Sequence, residues 1–386
     1  MLSRHGQHAI ALLLLAALAS CATAPRETAP PTEVRQKVPP PLAAEPEPLP
    51  PVLPDYAAMR LVIAATGDIM LGTDFPDNRL PDDDGESFLR AVTPTLAAAD
   101  IAFGNLEGVL MDGGQAEKKC QNPAACYLFR SPTRYAAHLR NAGFDVMSLA
   151  NNHARDFGEA GRSSSMYALR QTGIHHSGRE GDVASWESGE LRIAMIAFSP
   201  TKESWPLLEI DVAVAEVTRL AEKHDIVIVS FHGGAEGFAG AERIGFGMEY
   251  AYGEQRGDVV KFSRAVVDAG ADLVLGHGPH VPRAMEIYRD RLIAYSLGNF
   301  ATYYGISVNG AKGFAPILLT ELNGLGELQG GEVKSFIQLR PGGPVPDADQ
   351  KALQMIRELT KLDFPDGELS FSDSGQLLRL APATTP

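Results

Sequence analysis

Residues 143–158 read GFDVMSLANNHARDFG, an apolar run over 146–149 that stops at Ala150-Asn151-Asn152-His153, with Asp156 and Gly158 close behind. An apolar run ending in clustered Asn, His and Asp places polar side chains at the carboxyl end of a strand. In layered α/β proteins helices cover the sheet faces, so chemistry concentrates at those ends. Asn brings a carbonyl oxygen, and His brings a metal-binding nitrogen or a group titrating near neutral pH. A single cluster of this kind reads more readily as a turn, since Asn and Asp favour turns. It becomes a site only if other strand ends carry matching groups.

Other strand ends do. The run 61–65 leads into TGDIMLG, with Asp68; 101–103 leads into GNLEG, with Asn105 and Glu107. The run 226–231 ends in His232-Gly233-Gly234-Ala235-Glu236, 272–275 ends in GHGPHV with His277 and His280, and 292–295 ends in Ser296-Leu297-Gly298-Asn299-Phe300. Helical spacing predicts helices over 88–99, 131–142, 158–172, 212–223, 259–269 and 348–362. Strands alternating with helices predict a layered α/β fold. His175 and His176 read as structural because no carboxylate accompanies them. Residues 238–256 form a Gly-rich excursion with Tyr250 and Tyr252, long enough for a lid or binding loop.

At 386 residues, 45% of them hydrophobic, the chain is long enough to bury a full core. A formal net charge of -14 with no basic cluster argues against a nucleic-acid partner. Residues 1–20 carry an early arginine, an apolar stretch too short to span a bilayer comfortably, and small residues before Cys21, the pattern of a cleaved signal peptide. Leu18-Ala19-Ser20-Cys21 resembles a bacterial lipobox, which implies lipid attachment at Cys21; an ordinary signal peptide is the alternative. In a Gram-negative source this predicts an outer-membrane lipoprotein facing the periplasm. Residues 21–55 then form a lipidated, Pro-rich spacer, and 56–340 the domain. Residues 341–386 read as a C-terminal extension. Cys120 and Cys126 remain as an even pair in an exported chain and predict a small disulfide loop.

Mixed carboxylate, imidazole and amide groups at successive strand ends suit Mn, Fe or Zn better than Ca or Mg, as one ion or two. A nucleophile elbow and a P-loop are both missing, which sets aside Ser-His-Asp and P-loop chemistry. GDIMLG, GNLEG, SLANNHARDFG, SFHGGAE, GHGPHV and YSLGNF, in that order, resemble the CapA family of poly-γ-glutamate capsule-synthesis proteins. That resemblance implies a four-layer α-β-β-α sandwich of the metallo-dependent phosphatase (calcineurin-like) type. It implies metal ligands at Asp68, Glu107, Asn152, His232, His277 and His280, with His153 as general acid beside Asp156. It also implies an anionic envelope polymer as partner, such as poly-γ-glutamate, and other capsule-synthesis proteins. Asn105, Glu236, Ser296 and Asn299 are candidate substrate-binding residues.

Three departures bear on the site. Met70 stands where the phosphatase pattern has a ligand histidine, Glu107 replaces the usual aspartate, and the two histidines of GHGPHV are three apart, with His280 the favoured ligand. Two functions follow. One is a metal-dependent hydrolase of an envelope polymer, cleaving phosphoester or amide bonds. The other is a non-catalytic polymer-binding, export or anchoring protein that keeps the fold.

Overall fold

Strands buried on both faces read as continuous apolar runs, and the chain's first one sets the architecture. The structure, a computed structural model, describes residues 55–119, 126–237 and 239–380. In chain order the first strands are β1 (Leu61–Met70), β2 (Ile101–Leu106), β3 (Val109–Leu110), β4 (Arg130–Ser131), β5 (Val146–Ser148) and β6 (His175–Ser177). There follow β7 (Ala184–Ser188), β8 (Leu191–Ser199), β9 (Trp205–Pro206), β10 (Ile226–His232), β11 (Glu249–Ala251) and β12 (Glu254–Gly257). Further along come β13 (Leu273–His277), β14 (Met285–Tyr288), β15 (Arg291–Ala294), β16 (Asn299–Thr302), β17 (Ile317–Leu322) and β18 (Leu328–Lys334). The helices are α1 (Thr93–Leu96), α2 (Tyr135–Asn141), α3 (Gly158–Gln171), α4 (Ile210–Ala221), α5 (Val259–Asp268) and α6 (Lys351–Asp363).

Two seven-stranded sheets result. One runs β18-β17-β1-β2-β5-β6, with β16 also on β1; the other runs β14-β15-β13-β10-β8-β7, with β9 on β8. The central pairs of both are parallel, and β14, β7, β17 and β18 add antiparallel edges. Apolar packing resolves the layers. Ile63, Phe103 and Val146 of the first sheet meet Met195, Ile228 and Leu275 of the second in one buried cluster. The first sheet's other face (Ala64, Ala102, Met147) packs on Leu96, Leu139 and Leu169 of α1, α2 and α3. The second sheet's other face (Ile196, Val229, Val274) packs on Val217, Phe262 and Leu359 of α4, α5 and α6. This is the expected four-layer α-β-β-α order.

Two expectations change. The helix over 88–99 shrinks to α1, because Pro94 lacks an N–H and fits only the first turn, so the helix starts at Thr93. Residues after 341 are no appendage: Leu353 and Ile356 of α6, with Leu369 and Phe371, lie in the cluster between the sheets. The amphipathic spacing of α6 was legible, but its docking partner was not. The signal peptide, Cys21 and the Pro-rich spacer lie outside the described residues, as does Cys120; Cys126 is disulfide-bonded. No described helix is long and apolar enough to cross a membrane.

If the C-terminal segment belongs to the core, Ile356→Ala costs about 2–5 kcal/mol, the range for emptying a buried aliphatic site. Equilibrium denaturation reads it directly; a cost below about 0.5 kcal/mol, as for a surface change, would mark the segment as an appendage.

Candidate metal centre

β1 does not stop before Asp68, as its apolar run suggested, but carries it inside the strand. Residues 61–66 pair with β17, and from Asp68 onward β1 pairs with β16, placing Asp68 opposite Asn299. The changeover needs Gly67: a Cβ there would lie 1.9 Å from the Gly298 carbonyl oxygen. That oxygen accepts the Asp68 N–H at 2.8 Å. The close approach brings the β16 end against the β1 end, and so Asp68 beside the loop that carries His280.

Asp68 and Glu107 are both fully buried. A single amide holds them: Asn105 Nδ2 donates to Asp68 Oδ1 at 2.8 Å and to Glu107 Oε2 at 2.7 Å. Asn151 in turn donates to Asn105 Oδ1 at 3.0 Å and to the Leu106 carbonyl at 2.8 Å. Burial, then the neighbouring Asp68 charge, pushes the Glu107 carboxyl up to about 8. Burial would raise Asp68 too, but the His280 contact outweighs it and holds Asp68 below the ordinary carboxylate range.

His232, at the end of β10, completes a triad with these carboxylates, with one ligand atom from each within 4.8 Å of the others. Neither His232 nitrogen has a hydrogen-bond partner, and Glu107 Oε1 and Asn152 Oδ1 are buried and equally unpartnered. Buried polar atoms are nearly always satisfied, because leaving one bare costs about 1–3 kcal/mol. Burial also lowers the His232 pKa to about 3, so the ring is neutral with a lone pair available. Two carboxylates and one neutral imidazole, with bare atoms between them, fit a divalent cation of the Mn, Fe or Zn kind.

The later histidines behave differently. His277 Nε2 donates to the Thr66 carbonyl at 3.2 Å, leaving Nδ1 bare. His280 Nδ1 meets Asp68 Oδ2 at 2.9 Å and Asn299 Oδ1 at 3.1 Å, while Nε2 meets Glu236 Oε2 at 3.3 Å. Burial opposes its charge, but the two carboxylates raise its pKa well above the ordinary value. Burial would likewise raise Glu236, yet His280 and Arg256 lower it to about 2. Of the two histidines, His280 is therefore the one facing Asp68, with both nitrogens engaged by protein oxygens.

Beside the triad lies a second constellation. Asp156 Oδ2 accepts from His153 Nδ1 at 2.8 Å and from the Phe129 N–H at 2.8 Å. Its other oxygen pairs with Lys118 Nζ at 2.9 Å, and Lys118 also donates to the Asn152 carbonyl at 3.0 Å. The Phe129 and His153 rings lie 4.4 Å apart. With Nδ1 turned to Asp156, His153 keeps Nε2 free of protein partners among the described residues. Burial lowers its pKa against the opposing pull of Asp156.

Three of the six expected ligands thus form the compact group: Asp68, Glu107 and His232. Each of the four expected substrate contacts has polar atoms engaged by the protein. Asn105 bridges the carboxylates, Glu236 pairs with His280 and Arg256, and Asn299 donates to the carbonyls of Ser307 and Lys312. Ser296 donates to the Val281 carbonyl at 2.8 Å and accepts the Gly298 N–H. Met70 packs with Phe129 and Ile306 and brings no ligand. His176 is structural as expected but does have a carboxylate, Asp182, at 2.8 Å. Lys118, Phe129 and Arg256 escaped sequence reading, because none ends a strand or belongs to a short motif.

The chain belongs to the family described as Bacterial capsule synthesis protein PGA_cap, whose profile it matches over residues 62–304. It is 27% identical to the capsule biosynthesis protein CapA of Bacillus anthracis over 264 residues, covering 62% of this chain and 59% of that protein. The chain therefore spans less than two thirds of that relative's length. It is 26% identical to the PGA biosynthesis protein CapA of Bacillus subtilis (strain 168) over 347 residues, 83% of this chain and 84% of that one. Among solved structures, a 5'-nucleotidase precursor from Thermus thermophilus shares 13% identity at a TM-score of 0.40, over 78% of this chain and 59% of its own. A yellow lupin purple acid phosphatase shares 10% at 0.36, over 76% and 55%. Neither likeness is close enough to carry chemistry.

Unfolded, Glu107 titrates near 4.5; folded and without metal, it holds its proton up to about 8. The folded state binds the extra proton between those values, so stability from this group is lost as pH rises toward 8. Glu107→Gln, which needs no charge, is then the more stable protein near the upper value in chelator, by roughly 1–3 kcal/mol, and the gap narrows toward the lower one. Added Mn²⁺ raises the melting temperature of the parent and leaves the variant unmoved. A variant less stable than the parent at the alkaline end would contradict the buried like-charge pair.

Proposed function

We propose that this chain is an envelope-anchored, metal-dependent hydrolase acting in capsule, poly-γ-glutamate or other cell-envelope polymer metabolism. The observation that carries the reading is the set of bare, buried ligand atoms on Glu107 and His232 beside Asp68. A purely structural protein gains nothing from leaving them unsatisfied. Asp68, Glu107 and His232 would hold a Mn, Fe or Zn ion. Asn152, in the loop after β5, and His277, at the end of β13, carry further bare atoms. When bound, such an ion supplies Lewis-acid polarisation of a phosphoryl or carbonyl oxygen and neutralises developing charge.

The protein's own groups do the rest. Asp156 fixes the His153 ring through Nδ1, so a proton carried on Nε2 points away from the pair toward a leaving group. Lys118 offsets the Asp156 charge, and burial keeps His153 a readily giving acid. The Asn151–Asn105 chain holds both carboxylates in register. Asn299 and Ser296 hold the loop bearing His280. Lipid attachment at Cys21 and an outer-membrane site facing the periplasm belong to the same proposal, motivated by the lipobox-like LASC.

Two observations favour the alternative, a non-catalytic polymer-binding or anchoring protein. Met70 sits in an apolar cluster, and His280 fills the space beside Asp68 with an imidazolium rather than an open ligand position. Metal analysis of the purified protein separates the readings, with a phosphodiester and γ-glutamyl substrate screen beside it. The hydrolase reading expects about one ion per chain, lost in Asp68→Ala but kept in His153→Ala, with hydrolysis falling about 10²–10⁴-fold in the latter. Because the His153 pKa is lowered, the rate step needing its proton declines as pH rises through a value below 6.5. A protein that holds a metal yet is unchanged in rate by His153→Ala, or that holds none, leaves the binding role as the account.

A further inference from the structure

The chain between β10 and α5 is held by a pair of buried charges outside the metal centre. Arg283 and Glu249 are both buried, and Arg283 Nη1 lies 2.9 Å from Glu249 Oε2. Together the two side chains satisfy the backbone of an irregular loop. Arg283 Nε donates to the Ala241 carbonyl at 2.9 Å, and Nη2 donates to the Ala235 carbonyl at 3.1 Å. Glu249 accepts the Ala235 N–H at 2.7 Å and the Gly245 N–H at 3.3 Å. One ion pair thus fixes both polar groups of the Ala235 backbone. The guanidinium also lies against Gly234, where a Cβ would be 2.8 Å from Nη1. The segment reads His232-Gly233-Gly234-Ala235-Glu236, so the pair holds the chain between a member of the metal triad and the partner of His280.

The same segment is met a second time from the stretch after β13. His280 and Arg283 both belong to that stretch, and each reaches back: His280 Nε2 to Glu236 at 3.3 Å, Arg283 to Ala235. His280 depends on this support. Its backbone has a φ of 60°, in the left-handed region that residues with a Cβ avoid. Such a conformation persists only where the surroundings over-determine it. Here the surroundings are Asp68, Asn299 and Glu236. Asp68 and Asn299 sit in strands, whereas Glu236 comes from an irregular loop. The Arg283–Glu249 pair gives that loop its fixed position.

Stability alone is a poor reason for such a pair. Taking a guanidinium and a carboxylate out of water costs about as much as their attraction returns, and apolar side chains of similar volume close a loop as well. Apolar side chains cannot fix the direction of backbone N–H and C=O groups, whereas a planar guanidinium fork and a carboxylate can. We propose that Arg283 and Glu249 are positioning residues of the metal centre. Through Ala235 and Glu236 they hold His280 against Asp68, and so hold Asp68 in the orientation a cation needs. This rests on the metal-centre reading and makes it depend on two residues with no hydrogen bond or ion pair to Asp68, Glu107 or His232. The middle of the excursion is tied separately to α6 through Arg243 and Asp363. Loss of the inner pair therefore loosens 234–236 without freeing the whole excursion.

The test is titration of the full-length protein with Mn²⁺, read by the electron paramagnetic resonance of the free ion. The variants are Arg283→Met and Glu249→Gln; the second keeps its side-chain size and decides the matter should the first fail to fold. Leu139→Ala is the control, because it empties a buried site under α2 on the outer face of the first sheet. Both variants are expected to bind Mn²⁺ about tenfold more weakly than the parent, the low end of the range for outer contacts of a metal site. Arg283→Lys restores only part of the loss, since an ammonium lacks the fork. Leu139→Ala lowers the melting temperature and leaves the affinity unchanged. Parent-like affinity in Arg283→Met and Glu249→Gln, or a loss matched by Leu139→Ala, overturns the proposal. A parent that takes no Mn²⁺ removes the metal-centre reading, and the His280 ring then decides the positioning role in the metal-free protein. Its ring-nitrogen resonances shift in Glu249→Gln if the pair holds it, and unmoved resonances overturn the proposal.

Discussion

Two carboxylates, Asp68 and Glu107, share one asparagine amide in a part of the fold closed to water, and much of the surrounding structure exists to hold them there. Like charges this close cannot both ionise in a low dielectric without a cation. The protein answers on one side only: the His280 imidazolium meets Asp68, and Glu107 is left 3.6 Å from a neutral His232 that makes no hydrogen bond. The asymmetry is the main physical clue to what the centre takes. A positive group from outside the chain would relieve the Glu107 carboxyl and satisfy the His232 lone pair together.

That arrangement depends on how two sheets meet. β1 belongs to the first sheet, β10 and β13 to the second, and their carboxyl ends converge only because small residues allow close approach. Gly67 against Gly298 is the tightest case. The loop from Ser296 to Asn299 is then braced by its own hydroxyl and amide groups and delivers His280 to Asp68. Residues expected to touch substrate, Asn105, Ser296 and Asn299 among them, also brace this frame. His153, whose Nδ1 is held by Asp156, keeps its Nε2 free of protein partners among the described residues.

Much of this was legible in the sequence. The runs before Asp68, Glu107, His153, His232 and His277 marked buried strands, because strands covered on both faces must be apolar throughout. Repetition of ligand-type residues at their ends then marked a site. What could not be read was set by tertiary contact. Nothing local distinguishes Asn105, whose amide bridges two carboxylates, from an asparagine that meets substrate. Lys118 reaches Asp156 from a distant loop without pattern. The docking of α6 depends on a surface formed by strands far earlier in the chain.

The most direct test of the central claim is an anomalous-difference map from crystals of the protein grown with manganese. The account predicts a single strong peak roughly 2.0–2.3 Å from one oxygen each of Asp68 and Glu107 and from a nitrogen of His232, distances ordinary for such ligands. It also predicts that His280 stays against Asp68 and Glu236. A map with no peak there, or with a water satisfying Glu107 and His232 in its place, would contradict it.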